Sequence, residues 1–192
     1  MKIGIFGGCF NPPHKMHKEI ALNLIKNKYV SKVIYVPTGN KYQKRELLPD
    51  QERFQMLTLM IDNNPNLEVS DYEFNQELTY TYQTLDYFQK LYPNDEIYLI
   101  MGADNLNEFD TWRNYEYMLE HYKLLIINRD NYQKDELIAK YPKYYDKIIF
   151  TDQKNNFISS TYIRANIHKE DMLKYVEPKV LDYIKLNNLY GE

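Results

Sequence analysis

Short apolar runs alternate along this chain with segments whose apolar residues recur at helical spacing. The runs that favour buried strands cover residues 2–6, 32–36, 67–69, 96–101, 123–127 and 147–150, and the segments that favour helices cover residues 16–25, 50–61, 80–91, 112–121, 160–168 and 178–187. Such alternation favours right-handed crossovers and a parallel sheet with helices on both faces. We therefore predict an α/β, Rossmann-like fold that forms a single domain over residues 1–192.

Composition and charge exclude several classes of protein. The 192 residues carry a net charge of −3, which gives no overall basic field for binding nucleic acid. No stretch approaches the roughly 18 apolar residues of a membrane span, so we expect no membrane partner. Cys9 is the single cysteine, which excludes an intrachain disulfide. Because we also find no secretory leader, we expect a cytoplasmic protein.

The segment GGCFNPPHKMH at residues 7–17 follows the first strand. In sheets of this kind, ligands bind beyond the carboxyl ends of the strands, where the strand order reverses. Glycines let the backbone approach an anion closely, and a helix start offers free N–H groups. His14 and His17 project from the same side of the first helical turn, which suits stabilisation of phosphate charge. Two alternatives are a turn with two surface histidines and a zinc site made of Cys9, His14 and His17.

A second segment, ISSTYIR at residues 158–164, follows the last strand and begins a helix. Ser160 and Thr161 can cap backbone N–H groups or bind phosphate oxygens. Arg164 lies one turn beyond Ser160, where its guanidinium can pair with phosphate through two parallel hydrogen bonds. By itself, however, the segment is more typical of a serine-capped helix with an exposed arginine.

Together the two segments resemble the nucleotidyltransferases that carry the HxGH signature. The chain length and five further segments resemble those of the bacterial nicotinate mononucleotide adenylyltransferases. These segments are VPTGN at 36–40, LTYTYQTL at 78–85, GADNLNEFDTWR at 102–113, INR at 127–129 and VEPKVLDYIKLNNLY at 176–190. The resemblance covers essentially the whole chain and implies a single nucleotidyltransferase domain. It implies that ATP and nicotinate mononucleotide are joined to give nicotinate adenine dinucleotide and pyrophosphate, with Mg2+ bound to the ATP.

The resemblance also implies roles for individual residues. His14, His17 and Arg164 are the expected catalytic residues, in contact with the ATP phosphates. The expected ATP-binding residues are Gly7, Gly8, Cys9, Phe10, Gly102, Asp104, Ser160 and Thr161, and the expected mononucleotide-binding residues are Thr81, Trp112, Lys44 and Arg129. No carboxylate cluster stands out in the sequence, so we expect no metal ligand from the protein. Phosphates and water are expected to hold the metal. The sequence leaves the oligomeric state open, a homo-oligomer included.

Several of these residues have a simpler structural interpretation as well. Trp112, the single tryptophan, can stack on a flat pyridine ring or pack in the core. Thr81 lies at a predicted helix start whose N–H groups can accept a carboxylate, which would favour the acid over the amide, or it is an ordinary cap. Asp104 can accept hydrogen bonds from ribose hydroxyls, hold the metal or cap a helix. Lys44 lies in a basic loop that can contact the mononucleotide phosphate or be solvated.

Two charged residues and three departures from the family pattern complete the prediction. Glu52 and Arg53 are expected to be surface charges of a helix without a role. Met16 stands where the family usually has glycine, and we expect its side chain to point into the protein. The other departures are Cys9 for threonine or serine and Asn11 for aspartate. They motivate the alternative of a non-catalytic nucleotide-binding protein, beside that of a sister transferase acting on nicotinamide mononucleotide, phosphopantetheine or a phospho-alcohol.

Overall fold

The computed structural model describes residues 1–40, 47–128, 132–152 and 158–191. Within these ranges the strands are β1 (Lys2–Gly8), β2 (Lys32–Pro37), β3 (Leu67–Val69), β4 (Glu96–Gly102), β5 (Lys123–Ile127) and β6 (Ile148–Thr151). The α-helices are α1 (Lys15–Lys26), α2 (Asp50–Ile61), α3 (Thr81–Leu91), α4 (Ala103–Asn107), α5 (Tyr115–His121), α6 (Lys134–Ala139), α7 (Ser160–Asn166) and α8 (Pro178–Leu186). Every predicted strand is present, and its observed ends differ from the predicted ends by at most two residues.

The six strands form one parallel sheet in the order β3-β2-β1-β4-β5-β6. The order reverses between β1 and β4, because the chain first builds outward through β2 and β3 and then returns to the other edge of β1. This is the switch point at which such sheets bind ligands. The predicted α/β, Rossmann-like architecture is confirmed.

The apolar residues of each strand alternate between the two faces of the sheet, and both faces are covered. On β2, Val33 and Tyr35 join one buried cluster, whereas Ile34 and Val36 join the other. Helices α1, α2, α7 and α8 contribute buried residues to the first cluster, on what we call the α1 face. Helices α3, α4, α5 and α6 contribute to the second, on the α3 face. No helix in the described ranges is long and apolar enough to span a membrane.

Three predicted details of the helices are wrong. Asp50, expected to cap α2, is its first helical residue, and Pro49 occupies the cap position. The helix expected over residues 112–121 begins only at Tyr115, because Trp112 is extended and Asn114 is left-handed, with φ of 58°. The short helices α4 and α6 were not predicted, since five and six residues carry too little periodicity to be recognised.

Arg53 is fully buried, so the expectation of a surface charge is wrong. Its guanidinium donates to the carbonyl oxygens of Leu48 (3.0 Å), Cys9 (2.9 Å) and Thr38 (2.6 Å). It also donates to the side chains of Asn40 (2.9 Å) and Asp50 (2.6 Å). One side chain therefore connects the loop after β1, the loop after β2 and the start of α2.

Glu52, the neighbour of Arg53, is also engaged and does not match the expectation of a charge without a role. Its carboxylate accepts a hydrogen bond from the hydroxyl of Tyr183 on α8, at 2.7 Å. This contact joins α2 to α8 on the α1 face.

Replacement of Arg53 should therefore destabilise the fold strongly. Arg53→Met keeps much of the side-chain volume but removes the donor that three carbonyl groups share and leaves Asp50 without its counter-ion. We expect the free energy of unfolding to fall by about 3 kcal/mol or more, measured by urea unfolding. Arg113→Met, at an exposed arginine, is the control and should change it little. A loss no larger than that of the control would contradict this account of Arg53.

Candidate active site

A cavity of about 810 Å³ lies at the carboxyl ends of β1 and β4, on the switch point. Five residues expected to bind substrates line it together: Gly7, Gly8, Cys9, Thr81 and Trp112. Its apolar wall comes from Ile5, Leu99 and Met101, which belong to the α3 face. The structure thus brings Gly7 and Gly8, at the carboxyl end of β1, next to the start of α3.

Polar residues that the sequence analysis missed also line this cavity. They are Thr38, Glu73, Thr79, Thr84, Asn105, Thr111 and Arg113. Thr79, Thr84 and Arg113 lie inside the segments LTYTYQTL and GADNLNEFDTWR, so their position in the sequence was an available signal. Glu73 lies on a 3-10 helix, Tyr72–Asn75, which has no periodic signature.

Glu73 is the carboxyl group of the cavity wall. The hydroxyl of Thr84 donates to its Oε1 at 2.7 Å. Burial raises the pKa of Glu73 to about 7, against the opposing effects of the Thr84 hydrogen bond and the charge of Arg53. Near neutral pH, this carboxyl is therefore divided between its protonated and ionised forms.

Trp112 and Arg113 form the wall of the cavity facing the start of α3. The Trp112 ring is half-buried and packs on Phe109, with ring centroids 5.3 Å apart. The ring therefore touches the core and also lines the cavity, and its stacking on a pyridine ring stays a prediction. The guanidinium of Arg113 lies over the ring of Tyr80, 4.7 Å from its centroid.

The two histidines form a stacked pair at the start of α1, with ring centroids 3.7 Å apart. His14 is only 5% exposed, so the description of both as surface residues is wrong. The backbone N–H of His14 donates to Nδ1 of His17 at 3.1 Å. Because Nδ1 of His17 accepts this bond, the ring proton of neutral His17 lies on Nε2.

The ring of Phe10 packs against His17, one member of this pair. Phe10 has a φ of 46°, in the left-handed region, and its ring is buried in the core of the α1 face. The edge of the ring meets His17 at a centroid distance of 5.0 Å. A nucleotide bound at this turn would therefore meet the backbone of Phe10 and not its ring.

The segment at residues 158–164 packs against the loop between β1 and α1. Ser159 caps α7 by accepting from the N–H of Tyr162 at 3.1 Å. Ser160 donates to the carbonyl of Pro12 at 2.8 Å, and Nη1 of Arg164 donates to the carbonyl of Asn11 at 2.8 Å. The start of α7 therefore lies against the loop that leads to the histidines.

The departures Met16 and Asn11 are accommodated structurally. Met16 packs against the core of the α1 face together with Ile20 and Leu24, which confirms that its side chain points into the protein. Asn11 is buried, and its Oδ1 accepts from the backbone N–H of Leu48 and from the hydroxyl of Tyr190, at 3.3 Å and 2.7 Å. An amide at this position holds the loop and the end of the chain together.

The remaining expected residues are distributed around the same edge of the sheet. Gly102 ends β4, and Asp104 lies in the first turn of α4, beside the cavity-lining Met101 and Asn105. Thr161 follows Ser160 on α7, and its hydroxyl lies 3.5 Å from Nη2 of Arg164. Lys44 and Arg129 lie outside the described residues, as do the other residues of the range 41–46.

The zinc alternative is not supported by the arrangement. Among the described residues, no group of three or more histidine, cysteine, aspartate or glutamate side chains is placed to hold a metal ion. Cys9 lines the cavity on the α3 face, whereas His14 and His17 stack at the start of α1.

The comparisons with known proteins agree with this geometry. Residues 5–166 match the cytidylyltransferase-like family. A probable nicotinate-nucleotide adenylyltransferase from Endomicrobium trichonymphae is 39% identical, over 98% of this chain and 98% of its own. The chain therefore belongs to the cytidylyltransferase-like family and, within it, to the nicotinate-nucleotide adenylyltransferases, which are nucleotidyltransferases.

Solved structures give the same result. The nicotinic acid mononucleotide adenylyltransferase of Plasmodium falciparum complexed with NaAD has a TM-score of 0.83 and 28% identity, covering 98% of this chain and 97% of that one. The same protein complexed with APC has a TM-score of 0.81 and 28% identity, covering 98% and 96%. The resemblance found in the sequence segments is confirmed.

The raised pKa of Glu73 predicts a pH-dependent stability. The folded protein holds the proton of Glu73 more tightly than the unfolded chain does, where the pKa is near 4.5. This stabilisation is complete below the unfolded pKa and is lost as the pH rises through about 7. Between about pH 5 and pH 8, Glu73 should lower the free energy of unfolding by about 2 to 3 kcal/mol.

Urea unfolding across this pH range measures the effect. Glu73→Gln cannot titrate, so its stability should fall less between these pH values than that of the unmodified protein. Glu77→Gln, at an exposed glutamate nearby, is the control and should follow the unmodified protein. Parallel curves for Glu73→Gln and the unmodified protein would show that Glu73 does not titrate in this range.

Proposed function

We propose that the enzyme binds nicotinate mononucleotide in the cavity on the α3 face and the ATP triphosphate at the histidine pair on the α1 face. The products are nicotinate adenine dinucleotide and pyrophosphate. One observation carries this proposal: the cavity and the histidine pair both adjoin the carboxyl end of β1. Gly7 and Gly8, the last residues of β1, line the cavity, and the loop that follows them continues through Asn11 and Pro12 into the start of α1.

The reaction needs positioning and charge stabilisation more than proton transfer. The mononucleotide phosphate is already a nucleophile at neutral pH, so it needs no general base. Its oxygen attacks the α-phosphorus of ATP, and the bond to the pyrophosphate leaving group breaks. The protein must hold two anions together and stabilise the charge on the reacting and departing phosphates.

The histidine pair supplies donors of the required kind. With Nδ1 of His17 occupied by the N–H of His14, the donor left for a phosphate is Nε2–H. A helix start favours neutral histidine, whereas a bound triphosphate favours the protonated form. Arg164 joins them from α7, where one of its nitrogens contacts the Asn11 carbonyl and others remain for phosphate. We assign all three residues to the catalytic group.

The nicotinate end is assigned to the start of α3. This helix has 11 residues, and Thr81 is its first. Its first N–H groups can donate hydrogen bonds to a carboxylate, and the half-buried Trp112 ring offers a face to the pyridine ring. Lys44 and Arg129, outside the described residues, remain assigned to the mononucleotide phosphate on the resemblance alone.

Mg2+ is proposed to enter with ATP. Asn105 lines the cavity near the end of β4, and Asp104 precedes it in the first turn of α4. Their oxygens fit a role around phosphates and water better than an all-protein metal site. When bound, Mg2+ would neutralise charge on the triphosphate.

Pyrophosphate release is the direct test of the function. Purified protein mixed with ATP, Mg2+ and nicotinate mononucleotide should release pyrophosphate, and the rate with nicotinamide mononucleotide should be lower. The physical reason is that the start of α3 attracts a carboxylate but gains little from a neutral amide. Equal turnover of both mononucleotides would contradict the acid preference, and release with phosphopantetheine or a phospho-alcohol alone would favour a sister transferase.

His17 should matter more for the transition state than for folding. His17→Ala removes the Nε2–H donor and also the acceptor for the His14 N–H, and loss of one such donor typically lowers kcat about 100-fold or more. The lost cap should cost about 1 kcal/mol of unfolding free energy. His17→Gln is the matched variant, since glutamine at this third helical position can still accept the His14 N–H.

Steady-state kinetics and urea unfolding separate the two effects. We expect both variants to lose kcat, but only His17→Ala to lose stability. If His17→Gln kept a near-normal kcat, the His17 ring would act as a helix cap and not in the reaction.

A further inference from the structure

Two side chains of opposite charge line the cavity. Among the described residues that line it, Glu73 and Arg113 are the two that carry charged groups. Arg113 lies over Tyr80, immediately before the first residue of α3. Glu73 is bonded to Thr84, one turn further along the same helix. The positive group of the cavity therefore lies beside the start of α3, and the carboxyl of Glu73 lies one turn further along this helix.

Arg113 is held in place without being neutralised. Its interaction within the described residues is with the Tyr80 ring, and no carboxylate in those ranges forms an ion pair with it. A guanidinium that lies over an aromatic face keeps its in-plane N–H groups available for a ligand. Its fork geometry matches a carboxylate, with two parallel hydrogen bonds.

A second observation points to a ligand at the same place. The hydroxyl oxygen of Thr79 is buried, lines the cavity and has no hydrogen-bond partner among the described residues. Thr79 is separated from Thr81 by Tyr80 alone, the residue on which Arg113 rests. A buried hydroxyl without a partner is costly, and a bound polar group would satisfy it.

We propose that the Arg113 guanidinium binds the carboxylate of the nicotinate ring, beside the start of α3 and the Thr79 hydroxyl, and is the side chain that selects the acid over the amide. This inference rests on the proposed function, because it names the group that produces the acid preference. An amide offers the guanidinium an acceptor oxygen but no charge, so it gains much less from Arg113.

The test compares the unmodified protein with Arg113→Gln and Arg113→Lys on both mononucleotides. Binding of nicotinate mononucleotide and of nicotinamide mononucleotide is measured by titration calorimetry without ATP, and kcat/KM is measured by pyrophosphate release. Lys90→Gln is the matched control, because Lys90 is an exposed cation at the opposite end of the same helix. Urea unfolding checks that each variant is folded.

We expect Arg113→Gln to weaken binding of the acid about tenfold or more and to change binding of the amide by less than about threefold. The ratio of kcat/KM for acid over amide should fall by the same factor. Arg113→Lys keeps the charge but not the fork, so its loss should be smaller. Lys90→Gln should change neither ratio.

The remaining outcomes decide against the proposal. Equal losses for acid and amide, or no loss with either, would overturn Arg113 as the selecting residue. An unmodified protein that binds both mononucleotides equally would overturn it as well. Binding of nicotinate mononucleotide without any pyrophosphate release would instead contradict the proposed function, and the calorimetric comparison would still decide the role of Arg113.

Discussion

The buried guanidinium of Arg53 is the interaction on which the site depends. β1 and β2 both end in loops, and loops at the carboxyl end of a sheet have few backbone hydrogen-bond partners of their own. Arg53 satisfies the Cys9 and Thr38 carbonyls of these two loops, while Asp50 provides the counter-charge within the same helix. A charge that is costly to bury is thus used to hold two loops at a defined separation.

In the histidine pair, one contact of His17 has two consequences. His17 completes the start of α1 through Nδ1, and the same contact decides which nitrogen carries the proton. The ring is also held by the buried Phe10 and by the stacked His14. A side chain restricted in this way would lose little further freedom in the phosphate binding proposed for His17, which is the condition for effective charge stabilisation.

The sequence predicted the sheet and the edge at which the site lies, because apolar strands and helical stripes are local signals. It also predicted Gly7, Gly8, Cys9, Thr81 and Trp112, which the cavity does bring together. It did not predict the burial of Arg53, because that depends on carbonyl groups from loops far away along the chain. Glu73 was missed for a related reason, since its environment is created by α3 and by Arg53. Local patterns indicate where chemistry occurs, whereas long-range contacts decide the charge and burial of each group.

The loop between β1 and α1 is completed by the last part of the chain. Ser160 and Arg164 hold its carbonyl groups, and the hydroxyl of Tyr190 holds Asn11. During synthesis, the first strand and its two terminal glycines leave the ribosome long before these partners exist. The proposed nucleotide site is therefore complete once the C-terminal helices dock, so an unfinished chain could form part of the sheet without acquiring the whole site.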